Sequence, residues 1–550
     1  MSFVSIITTK LREERHSAFL LCTVLSLLLL LWPVAFTQPP RFILRIAVCN
    51  FMLIASAAAI YRTLAGKAIS VVLCAFLSLN FAIDFSTYSI YQSEFNVAFA
   101  MSILTTHIRE VKSMAGIYLY YMPVAVAHFA ITLAAIHFLS KKLTRKQGIL
   151  SFILLAIFIA WFSFACWSKK QKGKEVYYPL ASRILVNTPF YVASDFIIAN
   201  RDNQLAAKIS QGGQNDAHLS WQDQSIETYV VVIGESARRN NMQLYGFALD
   251  TTPVEMKLNH NALIFEHAIA PASATVLAVP MILSRADAEH FTIDNLSDNI
   301  VNAANRAGFN TYWISAQGNS GKSNNYVAAI ASTSHHLNWV ESHYDDELLP
   351  WFDDALKQPG KKVIFLHING SHELACTRYP KSHDYYHTGN KYEDYYNNAI
   401  RFTDYFLGEV MARLANRSAS LLYFSDHGLE KNAELESIYM HGARFPSKEA
   451  YDVPQFIWYS DKALGSQPRN TGKVEVPWST ANNYFLMLSW MGISTAEKNC
   501  RSILDVCFHP DKTFPVMDGG RHIFEYQALR AHFNDRKTEI AVKEAGKNSL

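Results

Sequence analysis

The chain is poor in net charge, in cysteine and in repeated segments. Lysine and arginine number 50 against 47 acidic residues, and a formal net charge of +3 over 550 residues leaves no electrostatic footprint for nucleic acid. There are seven cysteines. Cys22, Cys49, Cys74 and Cys166 fall in or near apolar runs, Cys500 and Cys507 could pair in an oxidising compartment, and Cys376 is left over. No internal repeat is visible, which sets solenoids aside. No small-residue cleavage site follows the first apolar run and further runs come after it, so a removed signal peptide is also set aside. After Lys169 long apolar runs are nearly absent, and the chain reads as an ordinary soluble α/β protein.

Before Lys169 the picture reverses. Five runs approach the roughly 20 apolar residues that cross a bilayer core: Ser17–Phe36, Phe42–Tyr61, Ile69–Tyr88, Tyr118–Leu139 and Ile149–Trp167. Lys10, Arg12 and Arg15 precede the first, Arg62 and Lys67 follow the second, and Lys141, Lys142, Arg145 and Lys146 follow the fourth. Basic loops stay cytoplasmic, so an odd number of spans places all that follows on the far side. Lys169, Lys170, Lys172 and Lys174 oppose this locally, but a long translocated domain overrides local charge. The reading divides the chain into a membrane domain over 1–168, a polar bridge over 169–220 and a globular domain over 221–550. Within the first, residues 92–114 ("FNVAFAMSILTTHIREV" at their centre) have apolar residues at helical spacing but are too polar to cross, which predicts a helix lying on the membrane face.

In the globular part, short apolar runs rich in β-branched and aromatic residues alternate with helix-like stretches. Strands are expected at Thr228–Ile233, Asn310–Ser315, Lys362–His367, Ser420–Phe424 and Pro454–Tyr459. That alternation predicts a largely parallel sheet covered by helices. Ligands of such sheets sit beyond the carboxyl ends of the strands. Glu235 follows the first strand ("VVIGES"), and Gln317 and Lys322 follow the second. His367 and His372 follow the third ("FLHINGSHE"), Asp426 and His427 follow the fourth ("YFSDHG"), and His441 ("YMHGARF") comes a loop later. Two carboxylates and four imidazoles at one sheet edge are the ligand chemistry of zinc when thiolate is absent. "APASATVLAVPMILS" then places Thr275 at the start of a helix, where backbone N–H groups favour negative charge. Read alone, Thr275 is equally well a plain N-cap. With zinc beside it, its hydroxyl becomes a competent nucleophile.

At these residues the chain resembles the bacterial phosphoethanolamine transferases, inner-membrane enzymes of the alkaline phosphatase/sulfatase superfamily that decorate lipopolysaccharide. The resemblance rests on "VVIGES", on Thr275 followed five residues later by Pro280, and on "HINGSH", "SDHG" and the later "HG". It implies a five-helix transmembrane domain joined to an α/β periplasmic domain of alkaline phosphatase/sulfatase-like architecture, in a multi-pass monomer. It implies one or two zinc ions, with Glu235, Thr275, Asp426 and His427 as ligands and Thr275 also the nucleophile. His372 and His441 would bind the transferred phosphate or a second zinc, with His367 and Lys322 beside them. Ser102, Thr106 and Glu110 match positions that receive the lipid head group, although the family usually has Asn at the place of Ser102. The implied donor is phosphatidylethanolamine and the implied acceptor is lipopolysaccharide, on lipid A or a core sugar. Many relatives carry a cysteine pair around the nucleophile, where this chain has Pro271 and Met281, and many have Asp-His at the place of Asn240-Asn241.

Other readings are weaker. A phosphoglycerol transferase acting on a periplasmic glycan would share the zinc and the threonine. A sulfatase needs Cys or Ser in a C/S-x-P-x-R context, which "TVLAVP" lacks. Asp84 as the one acid within a span offers little for a transport path.

Overall fold

In a computed structural model, the residues described are 39–105, 119–171, 180–209, 219–221, 225–258, 260–317, 325–432, 438–494 and 500–533, with isolated positions between 24 and 35. Contacts divide the chain into two units, one formed by Met1–Ala100 with Ile108–Arg201 and the other by Met101–His107 with Asp202–Leu550.

The first unit is helical. Helices α1 (Pro40–Ile60), α2 (Leu64–Tyr91), α3 (Met122–Ser140) and α4 (Arg145–Gln171) correspond to the second through fifth expected spans. All four are long and apolar enough to cross a bilayer. The first expected span, Ser17–Phe36, lies almost wholly outside the described residues, so four spans rather than five are seen among them. Pro40 opens α1, where its missing N–H costs nothing. Thr63 caps α2 by accepting from the Gly66 N–H at 2.9 Å. Some buried polar groups inside this unit find partners within it, as an apolar solvent favours. Asp84 accepts from the Phe95 N–H at 2.8 Å and from the Tyr191 hydroxyl at 2.6 Å. Ser78 meets His128 Nδ1 at 2.8 Å. Of the expected membrane-face helix, Val97–Thr105 is helical and 106–114 fall outside the described residues. In the stretch expected as a bridge, Leu180–Leu185 and Tyr191–Ala206 are helical.

The second unit is built on an eight-stranded sheet. Its strands are β1 (Thr228–Gly234), β2 (Ala262–Phe265), β3 (Asn310–Ser315), β4 (His336–Trp339), β5 (Lys362–His367), β6 (Ala419–Ser425), β7 (Gln455–Tyr459) and β8 (Gly472–Val474). Their spatial order is β8-β2-β7-β6-β1-β5-β3-β4. The block β6-β1-β5-β3-β4 is wholly parallel, and β7 alone runs against its neighbours. The four parallel strands expected from sequence are present. The fifth begins one residue later than expected, at Gln455, and is the reversed one. β1, β5 and β6 are buried along their whole length, which is why they read as unbroken apolar runs. β2, β4 and β8 were not expected: they are three or four residues long, and two of them form the sheet's edges. Helices α5 (Thr275–Ile282) and α6 (Lys391–Leu414) belong to this unit. Cys500 and Cys507 form the disulfide, and Cys376 is a free, exposed thiol.

Leu422 is fully buried at the middle of β6, in register with Val231 on one side and Ile457 on the other. Leu422→Ala should destabilise this unit by about 2–5 kcal/mol. Thermal unfolding of the full chain in detergent reads this, with exposed Val506→Ala as the neutral control; equal melting of the two variants would contradict the central placement of β6.

Candidate active site

Two neighbouring strands of the sheet lead into one place. Glu235 follows β1, and Asp426 and His427 follow β6, all three almost wholly inaccessible to solvent. One potential ligand atom from each lies within 4.8 Å of the other two. The turn after β1 is strained, since Ser236 has φ of 58°, a left-handed value unfavourable for a residue with a Cβ. The strain is held by its surroundings. The Ser236 N–H donates to Asp426 Oδ1 at 3.0 Å, and its hydroxyl donates to Glu235 Oε1 at 2.6 Å. The hydroxyl of Tyr396, on α6, donates to the Ser236 carbonyl at 2.7 Å and accepts from the Arg238 N–H at 2.8 Å. From β5, Gly370 approaches so closely that a Cβ there would sit 2.6 Å from the Glu235 carbonyl oxygen; its φ of 51° also suits glycine. The Ser371 N–H donates to that same carbonyl at 3.0 Å. Asp345 holds this loop by accepting from the Asn369 and Gly370 N–H groups at 2.7 and 2.9 Å.

Thr275 is the first residue of α5, not its cap: Ala274 holds the cap position without a side-chain bond. The threonine hydroxyl is therefore free of backbone capping. It donates to Glu235 Oε2 at 3.0 Å and lies 3.2 Å from His427 Nε2. Gln317, beyond β3, donates to the same Glu235 Oε2 at 3.0 Å and to the Ile368 carbonyl at 2.7 Å. Backbone bonds hold the segment before Thr275 where relatives are expected to use a disulfide. The Ala270 N–H donates to Tyr451, the Ser273 N–H to Met517, and the Met517 N–H to Pro271, at 2.8, 3.2 and 2.9 Å.

The protonation states follow from burial and partners. His427 is neutral at neutral pH, lowered to about 4 chiefly by burial and then by His441. Its Nδ1 lies 2.8 Å from the Gly428 carbonyl, which can only accept, so Nδ1 carries the proton and Nε2 presents its lone pair. That Nε2 lies 3.4 Å from both Glu235 Oε1 and Asp426 Oδ2. Burial raises Asp426 to about 6, opposed by the backbone N–H groups of Ser236 and His427 that donate to Oδ1 and by the nearby Thr275 hydroxyl. Asp426 Oδ2 is buried with no hydrogen-bond partner, an expensive state for a carboxylate oxygen. An orphaned carboxylate oxygen, an imidazole lone pair, a second carboxylate and a hydroxyl in one small space are a donor set that fits zinc.

His441 and His372 adjoin this set. The His441 ring stacks on that of His427 with centroids 4.7 Å apart, and His372 meets His441 edge to face at 5.5 Å. His441 Nδ1 lies 3.1 Å from Glu373 Oε1. Burial lowers His441, but Glu373, Glu235 and Asp426 together push it up to about 9. Burial holds His372 down to about 4, with Arg378 and His441 adding to the effect and Glu235 opposing it. His367 is buried at the end of β5, 3.2 Å from the Ser315 hydroxyl and edge-on to Trp313. Ser102 is exposed on the Val97–Thr105 helix, and Thr106, Glu110 and Lys322 lie outside the described residues. Tyr396, Asp345, Glu373 and Arg378 carry no signal in the linear sequence, because their roles exist only as contacts across the fold.

Residues 227–493 match the sulfatase family, and residues 7–210 match the family described as the transferase YhbX N-terminal domain. The chain is 35% identical over 463 residues to YhbX of Escherichia coli (strain K12), covering 83% of this chain and 85% of that protein. It is 28% identical over 414 residues to the phosphoethanolamine transferase OpgE of the same organism, covering 71% and 72%. Among solved structures, the integral membrane phosphoethanolamine transferase EptA of Neisseria meningitidis shares the fold with a TM-score of 0.58 at 18% identity, over 84% of this chain and 89% of that one. The periplasmic domain of EptC from Escherichia coli, solved in complex with zinc, gives 0.51 at 22% identity, over 57% and 96%. The chain belongs to the phosphoethanolamine transferase family, and its second unit is a sulfatase-family domain.

Proposed function

We propose that the chain moves phosphoethanolamine from phosphatidylethanolamine to lipopolysaccharide, on lipid A or a core sugar, through a covalent ester on Thr275. The observation that carries this is the Thr275 hydroxyl, turned away from helix capping and set against Glu235 and His427. Zinc held by Glu235, Asp426, His427 and Thr275 would lower the pKa of that hydroxyl and offset charge on the phosphoryl oxygens.

The chain's own groups do the rest. The Thr275 proton already points at Glu235 Oε2. As Oγ1 bonds to phosphorus, the bond from phosphorus to the glycerol oxygen breaks, and diacylglycerol leaves with a proton. An acceptor hydroxyl or phosphate then attacks from the opposite side, and the threonine oxygen leaves. His372, His441 and Lys322 offset charge on the phosphoryl oxygens. The apolar helices keep the enzyme in the bilayer that holds its lipid donor. That fits an inner-membrane protein working on the periplasmic side, as the loop charges require.

Thr275→Ala should abolish transfer and leave melting unchanged. Mass spectrometry of lipopolysaccharide from cells carrying the variant reads the loss, and continued modification would contradict a threonine ester. Incubating the purified enzyme with phosphatidylethanolamine or phosphatidylglycerol should release diacylglycerol only from the first; release only from the second would make the chain a phosphoglycerol transferase.

Tyr396→Phe removes one hydroxyl and leaves the buried Arg238 N–H without its partner. Zinc affinity should fall by about 10- to 100-fold, as for other outer-shell partners of a metal site. A zinc titration of the full chain in detergent measures this, and unchanged affinity would show that the strained turn holds Glu235 without the tyrosine.

A further inference from the structure

Three imidazoles crowd the site, and what each can do depends on which ring nitrogen carries its proton. A neutral imidazole has one N–H and one lone pair, and the partner of one nitrogen fixes the role of the other. His427 Nδ1 faces the Gly428 carbonyl at 2.8 Å, and His441 Nδ1 faces the Glu373 carboxylate at 3.1 Å. Both partners accept, so both rings carry the proton on Nδ1. His372 is the exception. Its Nδ1 lies 3.1 Å from Nη2 of Arg378. A guanidinium has five N–H donors and no acceptor. His372 Nδ1 must therefore accept, which leaves its proton on Nε2. Arg378 is tied to the same loop by further contacts: Nη2 reaches the Glu373 carbonyl at 3.2 Å, and Nε the His372 carbonyl at 3.4 Å. The guanidinium thus stays on the Nδ1 side of the ring.

We propose that Arg378 is a positioning residue that locks His372 as an Nε2–H donor to a phosphoryl oxygen and so removes His372 from the set of possible metal ligands. The inference rests on the phosphoryl-transfer reading of the site and decides between the two roles that the family resemblance leaves open for this histidine. Metal ligation at Nε2 needs a lone pair there. Supplying one would force the proton onto Nδ1 and set N–H against N–H at a distance of 3.1 Å. A phosphoryl oxygen, by contrast, accepts from Nε2–H without any rearrangement. The rings then divide the work: neutral His427 carries its proton on Nδ1, away from Nε2, and His372 carries its proton on Nε2.

The test uses the full chain in detergent, with zinc and inorganic phosphate as probes. Zinc bound per chain and its affinity are measured by titration and elemental analysis. Phosphate affinity of the zinc-loaded protein is measured by calorimetry, with melting as the control for folding. His372→Ala should leave zinc number and affinity unchanged and weaken phosphate binding by about 10- to 100-fold, the size of one hydrogen bond to a charged group. His372→Gln, whose amide N–H₂ can stand in for Nε2–H, should recover most of that loss. Arg378→Met should weaken phosphate binding without moving zinc, and Arg378→Lys should restore it in part. A drop in zinc number or affinity in His372→Ala would overturn the proposal, as would unchanged phosphate affinity in that variant. A wild-type chain that takes up no zinc would overturn the metal reading of the whole site, a failure distinguishable from either of these.

Discussion

Two carboxylates and an imidazole, all buried and with ligand atoms within 4.8 Å of one another, set the terms for the second unit. Water cannot solvate Glu235 or Asp426 there, and no lysine or arginine contacts them among the hydrogen bonds and ion pairs of the described residues. An uncompensated buried charge of this kind has two ways out. One is to bind a proton, which is the direction in which Asp426 is already pushed. The other is to bind a cation, whose charge makes both carboxylates favourable at once. The neutral His427, with its lone pair turned inward by the Gly428 carbonyl, suits only the second.

The sheet makes this concentration affordable. Parallel strands β6, β1 and β5 end side by side, so residues distant in sequence emerge within a few ångströms of each other. The strands themselves are anchored by apolar burial on both faces, and that stability lets the loops beyond them hold a strained Ser236 and a left-handed Gly370. Tyr396 and Asp345 translate the rigidity of the fold into the position of two loops: one presents Glu235, the other His372. The geometry of the candidate site is a property of the supporting shell as much as of the carboxylate and imidazole atoms it holds.

Much of this was legible in the sequence, for a physical reason. Strands buried on both faces must be apolar throughout, so β1, β3, β5 and β6 stood out, and the polar residues beyond their carboxyl ends pointed to the candidate site. The short strands β2, β4 and β8 carry too few residues for any periodicity to register. The reversal of β7 is likewise invisible in its composition, because an antiparallel strand between two others is as buried as a parallel one. Thr275 was legible as a residue at a helix start, but not as one whose hydroxyl ignores the helix; Ala274 taking the cap position decides that. Arg378 and Glu373 were illegible because nothing in "GSHELACTRYP" distinguishes a base that sets a tautomer from one that is merely solvated.

The central claim is that one cation is gripped by oxygen and nitrogen atoms of Glu235, Asp426, His427 and Thr275. X-ray absorption at the zinc edge on the metal-loaded full chain tests it most directly. The account predicts a shell of about four oxygen and nitrogen ligands near 2.0–2.1 Å with an imidazole contribution and no sulfur. A sulfur ligand near 2.3 Å, or a shell unchanged when Asp426 and His427 are both replaced by alanine, would contradict it.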